Sequence, residues 1–340
     1  MVVGDDLLLE VKDLKTQFFT NQGVVKAVDG ASLRIRRGKT LGVVGESGCG
    51  KSVTARSILG IVERPGRVVE GEILYRRSLD GNGATYEELD LAQLKPQGRE
   101  FRAIRGSEIS MIFQEPMSSL SPHYTIGNQI AENLLLHQEM TPEEAREQTI
   151  ELLRQVGIAR PQLRVDAYPF QLSGGMCQRA VIAMAIACRP SLLIADEPTT
   201  ALDVTTQAQI LDLIQSMQQE LGMAVMLITH DLGVVAEVAD DVAVMYLGRV
   251  AESADVDTIF HDPRHPYTRA LLRSIPRAEG AIRERLNPIR GMVPDPFNRP
   301  SGCVFHPRCD AMEQGICDGQ APRMVEVAPD HWVSCWQTTE

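Results

Sequence analysis

Short apolar runs punctuate the chain, and segments of helical spacing lie between them. The runs at 40–44, 192–195, 224–229 and 242–246 are almost wholly apolar, the pattern of strands buried on both faces. Further strands are expected at 7–14, 31–35, 70–75 and 109–113, the first two around the turn Thr20-Asn21-Gln22-Gly23. Helices are expected over 52–61, 125–157, from Ser173 onward, 205–221 and 232–239. Within the second, Thr141-Pro142-Glu143-Glu144 is a capping-box signature with proline at the first helical position, and Gly157 is a natural stop. The polar stretch 78–97 reads as an exposed insertion. Alternating strands and helices predict an α/β fold with a mostly parallel sheet covered on both faces. After residue 275 the chain becomes Pro-rich and carries four of its seven cysteines.

A length of 340 residues with 44% hydrophobic content supports one large α/β domain plus an appendage. Lys and Arg number 34 against 45 Asp and Glu, a net charge of −11, which argues against general nucleic-acid binding. No run of 18 apolar residues is present, so no membrane span is expected. The acidic start, Met1-Val2-Val3-Gly4-Asp5-Asp6, lacks a signal-peptide n-region, so a cytoplasmic chain is expected. The cysteines then call for metal, catalysis or burial rather than disulfides.

Gly45-Glu46-Ser47-Gly48-Cys49-Gly50-Lys51-Ser52 matches the phosphate-binding loop G-x-x-x-x-G-K-[ST] between a predicted strand and a predicted helix. Its glycines let backbone N–H groups close on phosphate oxygens, and the helix start adds a positive dipole end. Lys51 can reach the β- and γ-phosphates, and the Ser52 hydroxyl can ligate Mg²⁺. The run 192–195 ends in Asp196-Glu197. Asp196 is placed to hold the Mg²⁺, and Glu197 to position or deprotonate an attacking water. In Gln171-Leu172-Ser173-Gly174-Gly175-Met176-Cys177-Gln178, Ser173 can cap a helix beside two glycines with open N–H groups.

That last string resembles the signature sequence of ATP-binding cassette ATPases, and the resemblance extends over roughly 7–267. It includes Gln114 after a strand, Ala201-Leu202-Asp203 after the acidic pair, and His230 after the strand at 224–229. It implies a P-loop cassette with a mostly parallel core sheet, an antiparallel β subdomain, a helical subdomain at about 115–185 and a C-terminal extension. Cassette residues 1–265 and extension 266–340 are the domains expected. By the same resemblance, Gln114 joins the Mg²⁺ site and couples it to a transmembrane partner, Asp203 spans a dimer interface and His230 contacts the γ-phosphate. Ser173, Gly174 and Gly175 contact ATP held by another subunit's P-loop, so a second cassette, identical or similar, is required. Phe18 is the expected adenine-stacking aromatic, with Phe19 the alternative. Taken singly, Gln114, Asp203 and His230 would read as a surface Gln, a capping Asp and a buried His. Cys177 stands where many relatives carry Arg, either as a reactive thiol or as an inert buried one.

The string Phe260-His261-Asp262-Pro263-Arg264-His265-Pro266-Tyr267-Thr268-Arg269 resembles the C-terminal motif of the dipeptide, oligopeptide and nickel importers. So do 112–120 and 185–190. The implied assembly holds two cassettes and two membrane permeases at the cytoplasmic face of the membrane, fed by an extracytoplasmic binding protein. Its cargo is a di- or oligopeptide; nickel chelates or oligosaccharides are the alternatives. A soluble cassette acting on nucleic acid or ribosomes is the rival. Cys303, Cys309, Cys317 and Cys335 resemble a four-cysteine segment that in the dipeptide branch is associated with a [4Fe–4S] cluster. Four thiols also suit zinc, although no C-x-x-C pair occurs, or could remain metal-free. His306 and His331 are substitute ligands in this reading.

Overall fold

The computed structural model describes residues 6–79, 85–115, 119–200, 202–274 and 289–338. Its strands and helices begin β1 (Leu7–Thr20), β2 (Gly23–Arg36), β3 (Thr40–Val44), α1 (Lys51–Ile58), β4 (Gly66–Ser78), β5 (Tyr86–Asp90), α2 (Arg99–Ile104) and β6 (Ile109–Ile112). They continue α3 (Ile126–His137), α4 (Pro142–Gln155), α5 (Pro161–Arg164), α6 (Gly174–Ile186), β7 (Leu192–Asp196), α7 (Val204–Leu221) and β8 (Ala224–Ile228). Last come α8 (Leu232–Val238), β9 (Asp241–Tyr246), β10 (Arg249–Asp255), α9 (Val256–His261), α10 (Pro266–Arg273), β11 (Val325–Ala328) and β12 (His331–Val333).

Two compact units result. The first comprises Met1–Ile35, Thr40–Gln93 and Thr229–Glu340; the second comprises Arg36–Lys39 and Leu94–Ile228. The first contains an antiparallel sheet of order β2-β1-β4-β5 and a strand run of order β11-β12-β10-β9-β3. There β3 and β9 pair in parallel, while β9, β10, β12 and β11 are successively antiparallel. The second unit carries β8-β7-β6, parallel throughout. Strands β3, β7 and β8 are buried at every position, as their mostly apolar sequences favour, with Thr40 and Asp196 the buried polar residues among them. In the helical part of the second unit, Thr141 and Glu144 close the predicted capping box of α4. Gly127 meets the Val165 backbone so closely that a Cβ there would lie 2.6 Å from the Val165 carbonyl oxygen.

One expectation needs correction. The stretch 78–97 contains strand β5, paired with β4 from Leu74↔Asp90 to Ser78↔Tyr86. As an edge strand it needs little apolar sequence, and cross-strand ion pairs Arg76–Glu88 (3.1 Å) and Arg77–Glu87 (3.7 Å) support its register. The Pro-rich tail has little core of its own and shares that of the first unit. Phe305 is 2% exposed. Its ring lies 5.2 Å from those of both Tyr246 and Tyr267. Strand β12 pairs with β10, opposing Val333 to Glu252.

Phe305→Ala is therefore expected to lower the stability of the chain by about 3–5 kcal/mol, the usual cost of emptying a buried aromatic site. Urea unfolding of the whole chain measures it, and an unchanged midpoint would mean the tail packs independently.

Candidate nucleotide site

In the first unit, β3 runs into the loop 45–50 and α1 leaves it. Gly45 has φ +146°, and a Cβ there would sit 2.2 Å from the Met245 carbonyl oxygen. Gly50 has φ +101°, and its Cβ would sit 2.4 Å from the Ala27 carbonyl oxygen. Neither position can take a side chain without displacing backbone, so the glycines are set by packing as well as by ligand access. Ser47 and Gly48 are exposed, while Cys49 and Gly50 are buried. Lys51 is buried and donates Nζ–H to the carbonyls of Gly45 (2.7 Å) and Glu46 (3.2 Å). The ammonium thus lies along the loop whose amides it accompanies. Ser52 follows on α1. Burial pushes the Cys49 thiol above its ordinary value, against the pull of Lys51.

His230 is exposed in this unit, just before Asp231, whose carboxylate caps α8 by accepting from Gly233 and Val234. The buried structural role weighed for His230 is thus not what the structure shows. Phe18 is half-buried with its ring edge against Gly66, where a Cβ would lie 2.6 Å from the ring. Phe19 is exposed and carries the Arg67 guanidinium 4.4 Å above its ring.

The second unit assembles the acidic half. Asp196 ends β7 at 2% exposure. Glu197 follows at φ +47°, a left-handed conformation that costs a non-glycine residue about 1–3 kcal/mol and recurs at functional sites. Its N–H donates to the Ile228 carbonyl at 2.8 Å. Its carboxylate accepts from Gln114 Nε2 (3.0 Å) and from the Thr200 hydroxyl (2.8 Å). Gln114 and Glu197, 83 residues apart, are therefore in direct contact. Ser173 caps α6 by accepting from the Met176 N–H, and Gly174 beside it is exposed. The buried Gln178 on α6 donates to the Pro198 carbonyl at 2.7 Å, tying the signature helix to the turn after Glu197. Asp203 caps α7 through Thr206, whose hydroxyl and amide hold its carboxyl below the usual range. Ala201 lies outside the described residues. Cys177 is fully buried, its thiol donating to the Pro169 carbonyl and pushed upward by desolvation, which makes it inert rather than reactive.

The 260–269 string, which carried no mechanism as sequence, proves to be wired into the P-loop. Glu252, fully buried, accepts from the backbone N–H groups of Arg264 (2.6 Å) and His265 (2.9 Å) and pairs with His331 Nε2 (2.8 Å). His265 caps α10 by accepting the Tyr267 N–H on Nδ1. Tyr267 in turn accepts the Glu46 N–H on its hydroxyl at 3.0 Å. Sequence reasoning also missed Arg308. No motif marks it, and only the fold carries it to Glu46.

The four tail thiols, Cys303, Cys309, Cys317 and Cys335, line one small cavity together with Phe305 and Trp336. Burial pushes Cys309 up to about 11, neighbouring thiols adding to the effect. Among the described residues, no three His, Cys, Asp or Glu side chains are arranged to hold a single metal ion. An all-thiol set sharing one cavity fits an iron–sulfur cluster in donor chemistry, without forming a single-ion site. The substitute ligands are engaged elsewhere: His331 on Glu252, and His306 Nδ1 against the Cys303 carbonyl at 2.9 Å.

A family profile described as "ABC transporter" matches residues 28–200. The chain belongs to the ABC transporter family. A second profile, "Oligopeptide/dipeptide transporter, C-terminal region", matches 251–317 of this cassette protein. The chain is 48% identical over 331 residues to the oligopeptide transport ATP-binding protein AppD of Bacillus subtilis, covering 97% of this chain and 96% of the relative. It is 48% identical over 303 residues to the dipeptide transport ATP-binding protein DppD of Haemophilus influenzae, covering 89% and 87%. The cassette MJ0796, solved as a dimer in a post-hydrolysis state with ADP and Pi, superposes with a TM-score of 0.62 at 25% identity, covering 73% of this chain and 99% of that one.

Burial pulls His265 down to about 4 from 6.5, outweighing the opposing field of Glu252, while Arg269 adds to the drop. Between those values the unfolded chain binds a proton that the folded chain refuses. The cassette's stability from this group is thus complete above pH 6.5 and falls as pH drops towards 4. His265→Asn, which keeps a capping acceptor but does not titrate, is expected to flatten the fall between pH 7 and pH 5 measured by urea midpoints.

Proposed function

We propose that the chain is the ATP-hydrolysing subunit of a membrane importer for di- or oligopeptides. The observation that carries the catalytic part is Glu197, set in left-handed backbone at the end of a buried strand with its carboxylate held by Gln114 and Thr200. In this reading the amides of 45–52 and the Lys51 ammonium bind the ATP phosphates. Ser52, Asp196 and Gln114 supply the hard oxygen donors suited to Mg²⁺, which neutralises phosphate charge when bound. Glu197 orients and deprotonates the attacking water, and His230 contacts the γ-phosphate. Phe18 receives the adenine; its rival Phe19 already has a guanidinium over its ring.

Ser173, Gly174 and Asp203 are exposed, as groups serving a second cassette must be. The partner cassette is this chain or a similar one, and both work on two permease chains fed by an extracytoplasmic binding protein. Among the described residues no helix is long and apolar enough to cross a membrane; in this reading the chain is a peripheral subunit at the cytoplasmic face. Peptide cargo is carried over from the names of the relatives. By role, 1–265 act as the cassette, with a helical part at about 115–185, and 266–340 as the importer-type extension. We further assign Cys303, Cys309, Cys317 and Cys335 to one [4Fe–4S] cluster, supported by their shared cavity.

Glu197→Gln is expected to keep ATP binding while lowering turnover by at least about 100-fold, the usual weight of a general base. Wild-type hydrolysis by the variant assembly would remove Glu197 from the chemistry. Anaerobically purified chain is expected to be brown, and Cys317→Ser colourless. Colourless wild-type protein containing stoichiometric zinc would overturn the cluster assignment.

A further inference from the structure

The four-cysteine tail and the P-loop meet at one side chain. Arg308 occupies a single 3₁₀ turn, His306–Arg308, flanked by Cys303 and Cys309. Its guanidinium forks onto Glu46, the second residue of the P-loop, with Nη1 at 2.6 Å and Nη2 at 3.0 Å from the two carboxylate oxygens. The guanidinium side is 4% exposed and the carboxylate side 25%, so water screens the pair only in part. The fork is itself braced: Nε donates to the Arg290 carbonyl at 2.9 Å, and Nη1 also reaches the Tyr246 hydroxyl at 3.3 Å. Glu46 is held from the backbone as well, through Tyr267. Its carbonyl is one of the two that accept from Lys51.

The same turn is bonded into the thiol cavity. The His306 N–H donates to the Cys303 carbonyl, the Cys309 N–H to the His306 carbonyl, and the Cys303 N–H to the Cys317 carbonyl. A change in the spacing of these thiols therefore moves the turn that carries Arg308. Resting on the ATP-binding reading, we propose that Arg308 is a positioning residue of the nucleotide site, which transmits the state of the tail thiols to the P-loop through Glu46. It touches no nucleotide in this scheme. It fixes the loop that does.

The test is a double-mutant cycle on the whole chain, read as the Kd for a fluorescent ATP analogue and as the split between KM and kcat in the transporter assembly. Arg308→Gln is expected to weaken binding by about threefold to thirtyfold, the usual span for coupling through a positioning contact, and to raise KM more than it lowers kcat. Glu46→Gln should do the same. The double variant should be no weaker than the worse single, because both remove one contact. Arg308→Lys, which keeps the charge without the fork, should recover part of the loss. Cys309→Ser should shift the Kd in the wild-type background and leave it unmoved in Arg308→Gln. If Arg308→Gln fails to fold, Glu46→Gln on the partly exposed side of the pair decides alone. Wild-type Kd in both single variants, or losses that add in the double, would overturn the proposal. Wild-type protein that fails to bind the analogue at all would instead overturn the ATP reading.

Discussion

The P-loop of this chain is closed by backbone touching backbone. Positions 50 and 248 are both glycine in left-handed conformations, and a Cβ on either would stand within 2.5 Å of the Ala27 carbonyl oxygen. The Gly248 N–H donates to the Cys49 carbonyl at 2.7 Å, and the Asp29 N–H to the Gly248 carbonyl at 2.8 Å. Three chain segments distant in sequence thereby meet with no side chain between them. The conformation of 45–50 is dictated by this contact, and with it the direction of the amides and of Lys51.

Around that contact the first unit builds a second, polar constraint. Glu252 is buried where an unpartnered carboxylate would be costly, and three donors satisfy it: two backbone N–H groups and His331. One of those amides belongs to His265, so the burial of Glu252 fixes the start of α10 and the place of Tyr267. Asp29 plays a parallel part, meeting both Arg249 and the tail's Arg299 at about 3 Å. The C-terminal segment is thus held by buried charge on the same unit that carries the P-loop.

Much of the fold was legible in the sequence. The doubly buried strands showed as mostly apolar runs, α4 announced its start through Thr141 and Glu144, and Ser173 stood as a candidate cap beside two glycines. The edge strand β5 was hidden, because charge pairs rather than apolar alternation hold it in place. The place of Phe305 in the tail was hidden for a related reason: its ring packs on tyrosines contributed by β9 and α10.

Sequence alone determined which residue types stand together in the loop and at the acidic strand end. Phosphate and magnesium demand particular residue types at tight local spacing, and local spacing survives in one dimension. The tertiary structure alone decided which carboxylate, amide and guanidinium meet. Gln114 reaches Glu197 across 83 residues, and Arg308 reaches Glu46 across 262. Such pairs leave no periodic trace in a sequence, because the backbone between them, rather than their separation along it, sets the distance that their charges feel.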